Sequence, residues 1–212
     1  MRKERADGQE TREAILVAAE EEFAEKGFDL ASTREICRRA GVNAALANRY
    51  FASKENLYRL VARRLFGELE EPMTKVAEAV KDEASWRAAV RQWVGDFLVM
   101  TIPTARLQRL CCGLFRHEVT QPTRFHGEFA RDFGQPIYSA LWKLVERVVK
   151  DPVQVELWTT SIWSQVTVYA LADKSWHKSF RPRGLSDADW RQAVCNHICD
   201  VFFASVRAKR KG

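Results

Sequence analysis

The stretch Ala40-Gly41-Val42-Asn43 constrains the fold of this chain more than any other. Small Ala40 allows two helices to pack closely, Gly41 tolerates a positive φ, and the Asn43 side chain can cap a helix that follows. Upstream, Ser32 precedes Thr33-Arg34-Glu35. In that pattern Ser32 caps free backbone N–H groups and Glu35, three residues on, reaches back to close a capping box. The spacing predicts a short helix over about Thr33–Ala40 and a second over Ala44–Phe51, joined by this tight turn.

The remaining segments also carry helical periodicity. From about Thr11 to Lys26 the residues Ile15, Ala18, Ala19, Glu22 and Phe23 recur at steps of three and four, and Gly27 stands at the stop position. Ser53 is placed to cap a longer helix striped by Leu57, Tyr58, Val61 and Leu65, with Pro72 near its end. Further helices are expected at about Trp86–Met100, Thr104–Phe115, Phe125–Val149, Pro152–Ala172 and Asp187–Lys209, with Ser186 and Asp189 repeating the capping-box pattern. Only ten Gly and six Pro interrupt 212 residues, which disfavours a loop-rich or all-β chain. The expected fold class is all-α.

At 46% apolar and 29% charged residues the chain is globular in composition, neither disordered nor a membrane protein. The longest uncharged stretch, Leu157–Ala172, is broken by Thr159, Thr160, Ser161, Ser164, Gln165 and Thr167, is shorter than the ~20 residues of a span, and reads as a buried helix. Met1–Glu10 has no apolar leader, so the cytoplasm is the expected compartment. The odd set Cys37, Cys111, Cys112, Cys195 and Cys199 then points to reduced thiols rather than a disulfide framework.

The net charge of +6 is concentrated. Between Ala31 and Arg64, eight cations (Arg34, Arg38, Arg39, Arg49, Lys54, Arg59, Arg63 and Arg64) face only Glu35 and Glu55, while the preceding helix is acidic at Glu20, Glu21, Glu22 and Glu25. Two short helices, a glycine turn and a local basic excess describe a DNA-reading helix-turn-helix. In the second helix Ala44, Ala45 and Ala47 let the backbone approach a groove floor while Asn48, Arg49 and Tyr50 project; Asn suits adenine and Arg suits guanine. Ser32, Tyr50 and Lys54 are placed to hold phosphate, with Arg38 and Arg39 adding charge. Thr33, Arg34 and Asn43 complete the candidate DNA-binding set.

The run Ser32–Asn43, then Asn48-Arg49-Tyr50-Phe51, then Ser53-Lys54-Glu55-Asn56-Leu57-Tyr58 resembles the N-terminal helix-turn-helix of TetR/AcrR transcriptional regulators over about Thr11–Leu60. The recognition helix departs from the commoner pattern by carrying Ala47-Asn48 where Leu-Tyr is frequent. Arg116–Thr123, Ser161–Gln165 and Cys195–Ile198 resemble a CecR-like C-terminal domain. The resemblance implies an all-helical homodimer that binds palindromic operator DNA and is released by a small molecule. It also implies phosphate contacts from Ser32 and Lys54, groove-facing Ala44, Ala45 and Asn48, a backbone contact from Tyr50, and pairing of the last two helices across a two-fold axis. The expected domains are residues 1–67, a helix-turn-helix DNA-binding domain, and 68–212, a helical ligand-binding and dimerisation domain.

All seven Trp lie after residue 85. A pocket between helices would draw on Trp86, Trp93, Phe97, Phe115, Trp142 and Trp163, with His117, Glu118 and Gln165 as polar anchors, and would take an apolar or aromatic effector. The same rings equally suit plain core packing, His117 and Glu118 suit structural hydrogen bonds, and Trp190 suits core or interface. Cys195 and Cys199 share a helical face, but His197 points away, so one helix cannot supply three converging metal ligands. A Cys-based redox or metal sensor remains an alternative, as does a DNA-bound scaffold without a small-molecule ligand. No phosphate loop, nucleophile elbow or metal box is present, and neither an enzymatic activity nor a cofactor or metal is expected.

Overall fold

The computed structural model describes residues 2–171, 179 and 181–208. Trp176 and the basic residues Lys209, Arg210 and Lys211, like the expected helix ends Ala172 and Lys209, lie outside the described residues. Every regular element among the described residues is helical: α1 (Arg2–Leu30), α2 (Thr33–Arg39), α3 (Ala44–Phe51), α4 (Lys54–Lys75), α5 (Glu83–Thr101), α6 (Arg106–Thr120), α7 (His126–Phe129), a π-helical turn (Ala130–Gly134), α8 (Gln135–Glu146), α9 (Pro152–Leu171) and α10 (Asp187–Ala208).

Locally encoded features fall where the spacing puts them. Gly41 has φ 69°, and Ser32, Asn43 and Ser53 cap α2, α3 and α4 through the N–H groups of Glu35, Ala45 and Asn56 at 2.9–3.1 Å. Other expectations are corrected. α1 runs well beyond Thr11–Lys26, interrupted at Gly27 (φ 74°, ψ 177°). The helix expected over Phe125–Val149 runs from His126 to Glu146 and contains a π turn, about which Phe129 and Phe133 both pack on Phe66, ring centroids 5.0 and 5.4 Å away. Glu35 does not close its box: its carboxylate accepts from Arg38 Nε at 2.8 Å and Nη2 at 2.6 Å instead. A bidentate guanidinium offers two charge-assisted bonds where the backbone offers one neutral donor.

Among the contacts that fix the first three helices to the rest, two are very close. α1 crosses α6 where Gly113 meets Ala24; a Cβ on Gly113 would lie 2.4 Å from the Ala24 carbonyl oxygen, so no larger residue fits without moving backbone. One turn further along α6, the His117 ring sits against Gly27, its Nδ1 only 3.0 Å from where a Cβ would be, and its Nε2 contacts the Glu25 carbonyl at 3.1 Å. That ring satisfies one of the carbonyls a helix end leaves without an intrahelical partner. Gly27 is thus needed for its positive φ and for this close approach. α4 runs without interruption through residues 67 and 68, continuous with the body of the molecule.

The core centres on α5. Trp86, Trp93 and Phe97 are buried, and the two indole N–H groups donate to the Leu144 and Ile137 carbonyls of α8 at 2.7 and 3.1 Å. Phe97 meets Phe115 and Trp163 edge to face at 6.0 and 5.0 Å. Such pairs add about 0.5–1.5 kcal/mol each beyond their area.

Candidate nucleic-acid interface

In α3 Ala47 and Phe51 are buried, Leu46 and Tyr50 half-buried, and Ala44, Ala45, Asn48 and Arg49 exposed. The helix therefore turns a face of two methyl groups, one amide and one guanidinium outward, anchored from behind by Phe51 and by Arg12, whose guanidinium lies 5.2 Å from the Phe51 ring centroid. The side-chain period of 3.6 residues separates these sets. Tyr50 turns back toward the start of α1, its hydroxyl 3.4 Å from where a Cβ on Gly8 would stand. After Phe51 the chain reverses through Ala52, a non-glycine residue at φ 64°, a conformation with a strain cost of order 1 kcal/mol. That reversal brings Ser53 into its capping position.

Ser32 and Arg34 are exposed at the start of α2 and Thr33 is half-buried. Lys54 stands beside them: its Nζ donates to the Asp29 carbonyl at 3.4 Å and lies 4.5 Å from the Phe28 ring centroid. Burial lowers its pKa from the ordinary lysine value.

The basic excess read along the chain is partly cancelled in three dimensions, because the acidic α1 folds onto it. Arg39 pairs with Glu22, Glu25 and Glu35, Arg64 with Glu13 and Glu20, Arg59 with Glu128, and Arg38 with Glu35. The Arg38 guanidinium holds the Glu35 carboxyl down to about 2. Arg34, Arg49 and Arg63 have no ion pair among the described residues. The two of these on α2 and α3 flank the outward face.

The aromatic residues expected to line a pocket sit in or against the packed interior. Trp86, Trp93, Phe97 and Phe115 are core, and Trp142 and Trp163 are half-buried against it. Their rings fill the interior, and the Trp86 and Trp93 N–H groups are already spent on backbone carbonyls. Gln165 donates to Ser161 on its own helix at 3.3 Å. His117 is spent on α1, and fully buried Glu118 accepts from the Tyr58 hydroxyl and from Thr123 Oγ1, the latter at 2.8 Å, tying α4 to α6. Burial and the Glu118 bond raise the Tyr58 pKa. A cavity of about 370 Å³ lies elsewhere, between α1, α6 and the ends of α5, α9 and α10, with Arg109, Arg116, Tyr169, Arg181 and Trp190 on its lining. The sequence signal for it is the i, i+7 arginine pair astride Gly113, legible only once the partner helix is known.

All five cysteines are buried thiols. Cys195 Sγ donates to the Arg91 carbonyl at 3.5 Å, and a hydrogen bond from Cys199 lowers the Cys195 pKa while raising that of Cys199. Among the described residues no group of three or more His, Cys, Asp or Glu is arranged to hold a metal ion, and no helix is long and apolar enough to cross a membrane.

Residues 15–61, which span the turn and both short helices, match the family model for bacterial regulatory proteins, tetR family. The family match covers this N-terminal segment, about a fifth of the chain. Among curated proteins, this chain is 36% identical over 77 residues to the HTH-type transcriptional repressor BepR of Brucella suis biovar 1 (strain 1330), covering 36% of this chain and 37% of the relative. It is 35% identical over 91 residues to the HTH-type transcriptional dual regulator CecR of Shigella flexneri, covering 41% and 40%. The match thus spans about two fifths of these relatives' length. The chain shares its fold with the transcriptional regulator FadR of Bacillus subtilis, crystallised with stearoyl-CoA, at a TM-score of 0.63 and 14% identity, covering 88% of this chain and 96% of that one.

Proposed function

We propose that this protein is a cytoplasmic, ligand-responsive transcriptional repressor of the TetR family that binds a palindromic operator as a homodimer. The observation that carries the reading is the outward face of α3, where Ala44 and Ala45 leave room for close approach and Asn48 and Arg49 project as base-reading groups. Ser32, Thr33, Arg34, Asn43, Tyr50 and Lys54 flank that face and position it on phosphate. The names of the curated relatives, a repressor and a dual regulator, support a role in regulating transcription.

Support for a two-fold partner comes from α9 and α10. On α9, Val153, Leu157, Val168 and Leu171 are 64, 57, 49 and 39% exposed, with exposed Ser161 and Ser164 continuing the stripe. Val201 of α10 is 44% exposed. An uncharged stripe of this kind marks a contact surface rather than a solvated one. A second copy covering it sets the separation of the two α3 helices, which must be about 34–36 Å for successive major grooves. Residues 1–67 are the reading unit and 68–212 the effector and dimerisation unit. An effector bound in the second unit favours a conformer in which α4 swings, the half-site spacing fails and affinity falls with the base-reading residues unchanged.

The test is selection of genomic fragments by the purified chain at a stated salt concentration, followed by sequencing. Recovery of a palindromic motif is the expected result, and uniform recovery of fragments refutes specific dimeric readout. Within that motif Asn48→Ala is expected to relax base preference at one position per half-site. Equal losses on operator and random DNA would contradict the role given to Asn48.

A further inference from the structure

The arginines of α6 do not share one fate. Arg106 is tied to Glu20 and Glu21 of α1, whereas Arg109 and Arg116 have no ion pair among the described residues, and Arg109 donates to the Thr104 carbonyl at 3.2 Å. Seven residues apart, they stand on one face of α6, roughly 10 Å apart along its axis. Cys112 and Gly113 lie between them, and all four line the cavity at the α1–α6 crossing. Across it stand Tyr169, Trp190 and Arg181, the last paired with Asp187. The described lining therefore carries three guanidinium groups against one carboxylate.

Trp190 supplies an independent observation. Its Nε1–H is buried with no acceptor among the described residues, although buried donors nearly always have a partner and leaving one unmet is costly. A positively charged lining, an orphaned N–H and two aromatic walls within about 370 Å³ match a small molecule carrying an acid group on an apolar body, since pockets of this size orient ligands through a few polar groups. Guanidinium pairs with carboxylate-type oxygens in two parallel bonds, and an indole N–H adds a third.

We propose that this cavity binds an organic anion, its acid group held by the arginines and the Trp190 N–H and its aromatic or short aliphatic body lying over Cys112 and Tyr169. For its regulatory meaning this rests on the effector-responsive reading above; for binding it does not. Ala24 and Gly113 both border the cavity, so an occupant presses on the crossing that fixes the DNA-reading unit to the body.

The test uses two fluorophores with one apolar framework: anionic 1-anilinonaphthalene-8-sulfonate and uncharged N-phenyl-1-naphthylamine, each titrated into the full chain. The sulfonate is expected to bind at one site per chain, and Arg116→Gln or Arg109→Gln is expected to weaken it about tenfold or more. The uncharged compound is expected to change less than about twofold, because only the anion uses the guanidinium. Arg109 is exposed and Arg116 half-buried, so both variants retain the core. Equal affinity for the two compounds, or sulfonate binding that survives the double variant, overturns the proposal. No DNA is present in this measurement. Failure to select an operator would leave its result intact, and a selected operator would not rescue a cavity indifferent to charge.

Discussion

Replacing Gly113 with alanine sets two effects of opposite sign against each other. In mid-helix the change gains about 1 kcal/mol from reduced backbone entropy loss. At the α1–α6 crossing, however, the new Cβ would stand 2.4 Å from the Ala24 carbonyl oxygen, 3.0 Å from its carbonyl carbon and 3.1 Å from its Cβ. The first separation is 0.6 Å inside the 3.0 Å that Cβ contacts respect, and the atom it meets belongs to backbone. No rotamer relieves it, so α1 must move as a body. Overpacking of this kind costs about 1–3 kcal/mol, and a clash with rigid backbone belongs at the upper end. The net expectation is a loss of about 2 kcal/mol, or a melting temperature lower by roughly 4–8 °C in a chain of this length. Thermal unfolding followed by circular dichroism reads it, at one fixed protein concentration because association shifts the midpoint. Ala24→Gly in the same background removes only the 3.1 Å contact and should restore little. A melting temperature equal to or above that of the parent would show the crossing to be slack and would refute the reasoning.

Four further outcomes follow from the charge and packing described above. Arg49→Ala is expected to lower the salt slope of operator binding by about one. Arg39→Ala should leave that slope unchanged but cost about 2 kcal/mol in stability, because buried Glu22 loses a guanidinium partner; the reverse assignment in salt titrations and denaturant melts would sink the division between paired and unpaired arginines. Val168→Glu, at a half-exposed position of the α9 stripe, is expected to yield monomers in analytical ultracentrifugation with an unchanged far-ultraviolet spectrum, and persistent dimers would place the partner elsewhere. Tyr58→Phe strips a donor from the buried Glu118 carboxyl and should cost about 1.5–3 kcal/mol in urea unfolding, whereas a neutral result would mean that the carboxyl finds another donor.

The reading unit was legible in the sequence because its determinants are local. Ser32, Asn43 and Ser53 each bond an N–H two or three residues away, and Gly41 adopts its positive φ in a turn that closes through Val42 and Cys37. Spacing along the chain carries all of that. The body was legible only as a set of helices. Its many tryptophans suggested a pocket, yet the indole N–H groups of Trp86 and Trp93 are held by carbonyls of α8, 58 and 44 residues away, while the cavity drew on arginines that composition marks as surface.

By itself the sequence determined an all-helical chain, the tight turn at Gly41 and the outward set on α3, because caps, turns and helical period act over a few residues. Tertiary structure alone decided which cations stay unpaired, since the carboxylates that neutralise Arg39, Arg59 and Arg64 come from α1 and from Glu128. It alone decided that Gly113 lies at the junction between reading unit and body. Close approach of two helices and cancellation of charge are properties of pairs of surfaces, and a single strand of letters does not specify which surfaces meet.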